Sequence, residues 1–290
     1  MELLPLVPSG RTPVRALTIA GTDSGGGAGI QADSRTMALC GVHACVAVAA
    51  VTVQNSVGVS GFHEIPPQIV ADQVRSVVGD IGVGAAKTGM LASTAIIEAV
   101  AEVCREVGIG RDGEIPLVVD PVAASMHGDP LLHEEALDAV RNTLFPIATI
   151  VTPNLDEVRL ISGVEVIDDA TARRAAEALH AFGPRWVVVK GGHLRSSDNS
   201  TDLLFDGERF LEFTAPRIHT GNDHGGGGTH APAQGGAHAD DKKVGGAVDV
   251  LPLGAELGTA LTGGRSAPEL VMLPLAGRVR ELAAHGALQD

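Results

Sequence analysis

From Val14 onward, short runs of Val, Ile and Ala alternate with loops rich in Gly, Asp or Pro and with longer stretches that carry an apolar stripe. Few folds are open to a chain with that alternation. Strands apolar on both sides need cover on both faces, and strand–helix–strand crossovers make neighbouring strands parallel. The strand runs are 14–20 (VRALTIA), 44–53 (ACVAVAAVTV), 84–89 (GAAKTG), 116–122 (PLVVDPV), 148–152 (ATIVT) and 185–191 (RWVVVKG). Ile96, Ile97, Val100, Cys104 and Val107 share one helical face, and so do Ala172, Ala175, Ala176, Leu179 and Phe182. After them TDLLFDGERFLEF reads as a hairpin turning at Asp206-Gly207. The pattern predicts one α/β domain with a mostly parallel, doubly wound sheet over residues 14–222.

Composition narrows the partners. A formal charge of −14 argues against a nucleic-acid backbone or an anionic membrane as the main partner. The three cysteines (Cys40, Cys45 and Cys104) include no CxxC pair, so reduced thiols in a cytoplasmic protein are expected. The opening MELLPLVPSGRTP lacks a basic n-region, and Pro5 and Pro8 break its apolar run. Residues 1–13 are read as a disordered leader. No aromatic residue follows Phe213, and GNDHGGGGTHAPAQGGAHADDKKVGGAVD has no helical stripe. Residues 223–290 are accordingly expected to be irregular, with a helical pattern returning only at 271–288.

The chemistry-bearing residues gather where strands should end. AGTDSGGGAGIQAD (20–33) follows one strand and opens a helix. Its glycines let the backbone approach a ligand, and Asp23 could accept from a hydroxyl or amine. The same glycines also suit a plain tight turn. Lys87-Thr88 resembles the end of a Walker A loop, but Ala86 replaces the required glycine and the lysine lies inside a strand pattern. Lys87 is therefore read as structural. Asp120, Glu157 and Lys190 each sit at or just after a strand end. A carboxylate such as Asp120 suits Mg²⁺, which takes one or two carboxylates plus phosphate oxygens; each acid could equally be a helix cap. In GNDHGGGG (221–228), consecutive glycines can form an amide nest for an anion, or simply a linker. His224, His230 and His238 match no zinc-ligand spacing.

Taken in order, AGTDSGGGAGIQAD, AVTVQNSVGV, AAKTGML, VVDPV, TPNLDE and VVVKGGH resemble the hydroxymethylpyrimidine/phosphomethylpyrimidine kinases of thiamine biosynthesis, within the ribokinase-like fold. The likeness covers about residues 14–227. It implies transfer of the γ-phosphoryl group of MgATP to the pyrimidine alcohol and then to its monophosphate, by a homodimer. It also implies roles. Gln54 would bond the pyrimidine edge, with Asp23 and the Gly21 backbone at the hydroxymethyl side and Met90 and Val122 against the ring. Asp120 and Glu157 would serve the metal, Asn154 and Lys190 the ATP phosphates. Gly225, Gly226 and Gly227 would form the anion hole.

One departure bears on activity. The family carries a Cys or an acid just before the loop threonine, as the base; here that position is Gly228, before Thr229. Glycine cannot accept a proton, and loss of a general base costs about 10²–10⁴-fold. The family's Ala-rich helix beyond the loop is replaced by THAPAQGGAHADDKK, which suggests a frame disruption near codon 228. Two other readings therefore stand beside the kinase: a non-catalytic pyrimidine-binding or decayed homologue, and a pyridoxal kinase of the same fold.

Overall fold

The structure is a computed structural model. It describes residues 14–39, 42–55, 58–123, 132, 134–191 and 199–216. The glycine-rich loop 221–228 and the rest of the chain to Asp290 lie outside the described residues, as does the leader 1–13.

The elements in chain order are β1 (Val14–Ala20), α1 (Gly29–Leu39), β2 (Val42–Val48), β3 (Ala50–Gln54), β4 (Val59–Glu64), α2 (Pro67–Ser76), β5 (Ala85–Thr88), α3 (Thr94–Glu106), β6 (Leu117–Val119), α4 (Glu134–Ala139), β7 (Ile150–Val151), α5 (Leu155–Ser162), α6 (Asp169–His180), β8 (Trp186–Val189), β9 (Asn199–Phe205) and β10 (Phe210–Pro216). Eight strands form one sheet in the order β10-β9-β8-β7-β6-β5-β1-β2. Neighbours from β2 to β8 run parallel, and β9 and β10 add antiparallel at one edge. The predicted turn at Asp206-Gly207 joins those two strands, and the Asp206 carboxylate accepts the Glu208 and Arg209 amides.

Alternation along the strands sorts the core. Leu17, Ile19, Val119, Val151, Val187 and Val189 meet the buried faces of α2, α3, α5 and α6 in one large cluster. Their strand neighbours Val118, Ile150 and Val188 join Leu204 and Phe213 on the opposite face. There α1 also buries Met37 against Ala16, Val42 and Ala85. The stripes read from sequence are the buried ones: Ile96, Ile97, Val100 and Cys104 on α3, and Ala172, Ala175, Ala176 and Leu179 on α6. Val107 and Phe182 lie just past their helices, partly buried against the same core.

The run 44–53 is not one strand. β2 stays beside β1 until Val48 meets Ala20, where β1 ends. Beyond that point the main sheet offers no partner, so β3 leaves it and pairs with β4 as a separate antiparallel ribbon. No described helix is long and apolar enough to cross a membrane.

Candidate active site

The loop after β1 is built by its own side chains. The Asp23 carboxylate accepts the Gly25 and Ala28 amides, both at 2.8 Å, and the Asp23 amide donates to Gln31. Asp23 is thereby 1% exposed and organises the turn into α1. Gly29 has φ +58, and a Cβ there would come within 2.5 Å of the Gly21 carbonyl oxygen. This loop meets β3 directly. The Ser24 hydroxyl donates to the Gln54 carbonyl at 2.6 Å and accepts the Gln54 amide at 2.8 Å. The Thr52 hydroxyl donates to the Thr22 carbonyl at 2.8 Å, tying β3 to the loop a second time, and lies 3.3 Å from Gln54 Oε1. The Gly21 amide donates to the Met90 carbonyl. Gly21, Asp23, Gln54 and Met90 are thus gathered at one end of the sheet, as the sequence motifs imply.

The charged half lies at the ends of the next strands. Asp120 follows β6 and Lys190 follows β8; they are 2% and 5% exposed, with Nζ 3.5 Å from Oδ1. The strand between them, β7, leads through Thr152 and Pro153 to Asn154, the N-cap of α5. Asn154 Oδ1 accepts the Glu157 amide, and Glu157 Oε2 accepts the Asn154 amide, a reciprocal capping box. Glu157 Oε1 accepts the Ala123 amide at 3.2 Å. Burial pushes the Glu157 carboxyl up to about 7, and Asp120 adds to the rise; Lys190 and the two amides pull the other way. Val122, between Pro121 and Ala123, has φ +42.

A hydrated divalent cation fits this set. Asp120 and Glu157 supply two carboxylates at one rim, and the buried hydroxyls of Thr88 and Thr152 at neighbouring strand ends have no hydrogen-bond partner among the described residues. Such orphaned groups suit bound water or a polar ligand. Among the described residues no cluster of three or more His, Cys, Asp or Glu forms, so phosphate and water oxygens would complete the shell.

Lys87, the Walker A look-alike, is buried elsewhere. Its Nζ lies 2.7 and 2.9 Å from the two oxygens of Asp33 on α1, and Thr18 on β1 donates to Asp33 at 2.6 Å.

Residues 23–250 match the family model for phosphomethylpyrimidine kinase. The chain belongs to that family. The match runs past Gly228 and beyond the span over which the six motifs align. This family member is 63% identical over 237 residues to the hydroxymethylpyrimidine/phosphomethylpyrimidine kinase of Mycobacterium leprae, covering 80% of this chain and 84% of the relative. Among solved structures, the phosphomethylpyrimidine kinase of Clostridium difficile is 36% identical with a TM-score of 0.63, over 69% of this chain and 83% of that one. An ADP complex of Bacillus subtilis pyridoxal kinase is 34% identical with a TM-score of 0.67, over 76% and 81%.

For this kinase the structure brings together Gly21, Asp23, Gln54 and Met90 on one side and Asp120, Asn154, Glu157 and Lys190 on the other, with Val122 beside the latter group. Gly225, Gly226, Gly227 and Gly228 lie outside the described residues. Sequence reasoning missed Ser24, Thr52 and Ala123, whose groups tie the site's segments together. The signal for Thr52 was the alternation Val51-Thr52-Val53-Gln54, which marks a strand with a polar face; nothing local marks Ser24. Nothing local marks Ala123, because its contribution is a backbone amide.

Proposed function

We propose that this kinase transfers the γ-phosphoryl group of ATP to the hydroxyl of 4-amino-5-hydroxymethyl-2-methylpyrimidine, and then a second to the resulting monophosphate, in thiamine biosynthesis. One observation carries the reading: the Gly21–Gln54–Met90 side and the Asp120–Lys190 side occupy the same end of one parallel sheet, so an acceptor and a phosphate chain can meet there. The pyrimidine lies with its edge on Gln54 and its ring against Met90 and Val122, while the Gly21 backbone and Asp23 face the hydroxymethyl arm. Lys190 turns from Asp120 to the phosphates, and Asn154 holds them from the α5 cap. Asp120 and Glu157 hold Mg²⁺ with waters, and when bound the ion neutralises phosphate charge. The acceptor oxygen bonds to phosphorus as the bond to the ADP oxygen breaks, and the hydroxyl proton leaves.

Gly225 to Gly227 form the anion hole in this reading. With Gly228 at the base position the proton passes to solvent, and the rate falls about 10²–10⁴-fold below that of a chain with a base there. The cytoplasm suits an ATP-consuming enzyme whose described cysteines, Cys45 and Cys104, are free and buried. A homodimer is supported by the two-stranded β3–β4 ribbon, which exposes Val51 and Val53 on one face and Phe62 on the other.

The test is ADP release from MgATP by the purified chain, with the pyrimidine as acceptor and pyridoxal as control. Turnover on the pyrimidine alone supports the assignment, and preference for pyridoxal overturns it. Pyrimidine binding without turnover favours the second reading, a scaffold disabled at Gly228. A Gly228→Asp or Gly228→Cys variant should then regain rate only if a helix follows the loop. Resequencing the gene decides whether a frame disruption put residues 229–290 there.

A further inference from the structure

Glu157 uses more of its carboxylate than its helix requires. A capping box needs one side-chain oxygen at the N-cap amide, and Oε2 supplies it to Asn154 at 2.8 Å. Oε1 reaches instead to the Ala123 amide on the exit of β6, 34 positions away in sequence. That amide belongs to the same peptide plane as the Val122 carbonyl. Val122 has φ +42, a region a β-branched residue adopts only when its surroundings impose it. Before it stands Pro121, with φ fixed by its ring. The peptide that follows Val122 is held by Glu157.

We propose that Glu157 is a positioning residue for the acceptor: it clamps the Val122–Ala123 peptide to the Asn154 cap and so holds Val122 in its left-handed conformation against the pyrimidine ring. The inference rests on the assignment of Val122 to the pyrimidine wall. It gives one carboxylate two neighbours with different duties, the phosphate side through Asn154 and the acceptor side through Val122. Disturbing Glu157 therefore reaches the acceptor even when no metal or nucleotide is bound.

The test is calorimetric titration of 4-amino-5-hydroxymethyl-2-methylpyrimidine into protein free of metal and nucleotide, where a role for Glu157 in holding Mg²⁺ cannot contribute. Glu157→Gln offers one acceptor to two amides. Ala123→Pro removes the donor, leaves Glu157 untouched and drives residue 122 out of its conformation. In each variant with a wild-type circular dichroism spectrum, Kd should rise about threefold to tenfold, as loss of a single hydrogen bond implies. Glycine adopts positive φ at little cost, so Glu157→Gln should change Kd much less in a Val122→Gly background. An unchanged Kd in either folded variant, or the same fold-change in both backgrounds, overturns the clamp. If neither variant folds, amide exchange in the unsubstituted chain decides: strong protection at Ala123 supports the clamp, and exchange at the rate of an open loop refutes it. A chain that binds no pyrimidine at all refutes the acceptor assignment, and the Ala123 amide then still tests the clamp by itself.

Discussion

Replacing Lys87 by Met separates a structural lysine from a phosphate-binding one. Lys87 is 3% exposed, and its ammonium bonds both oxygens of Asp33, itself 1% exposed and also bonded by Thr18. The three groups sit on β5, α1 and β1, so the pair pins the helix that follows the glycine loop to the strands beneath it. Met fills the aliphatic volume but leaves a carboxylate buried with one hydroxyl donor. Removing one partner of a buried ion pair costs about 3–5 kcal/mol. At 2–4 °C per kcal/mol for a domain of this size, the thermal midpoint should fall by roughly 6–20 °C. Neutralising both ends, in Lys87→Met with Asp33→Asn, keeps an acceptor for Thr18 and removes the stranded charge; more than half of the loss should return. Thermal unfolding followed by circular dichroism, with ADP release measured well below the midpoint, reads both quantities. A Lys87→Met protein that melts with the wild type yet has lost nucleotide binding would refute the argument and revive the phosphate role.

Three further outcomes follow from particular contacts. In Gly191→Ala the new methyl would overlap the Thr201 backbone, so the β8–β9 junction should loosen, costing about 1–3 kcal/mol in urea unfolding and displacing Lys190; full stability would contradict that packing. Burial pushes the Cys104 thiol up to about 12, so iodoacetamide at pH 8 should leave it unmodified in the folded chain and label it once the chain is unfolded in urea, as peptide mass mapping will report. The Glu157 carboxyl is raised above its unfolded value of 4.5 to about 7, so the folded state holds its proton more tightly and that share of stability is lost as pH climbs through this window. Glu157→Gln should flatten the decline of thermal midpoint between pH 4.5 and 7, and an unchanged slope would argue against the shift.

The parallel strands, the α3 and α6 stripes, the β9–β10 turn and the strand-end location of Asp120, Glu157 and Lys190 are all legible in the sequence. Each follows from local alternation or spacing, which the backbone converts directly into faces and ends. Lys87 was readable as structural from its place inside a strand pattern, though its partner Asp33, 54 positions away, was not. Tertiary structure alone decided where β2 stops and β3 leaves the sheet, because that depends on where β1 runs out of partners at Ala20. It alone brought the Gly25 and Ala28 amides to Asp23 and the Ala123 amide to Glu157. Hydrogen bonds between segments distant in sequence involve backbone groups that every residue carries, so composition and periodicity cannot announce them; they exist only once packing has set the two strand exits side by side.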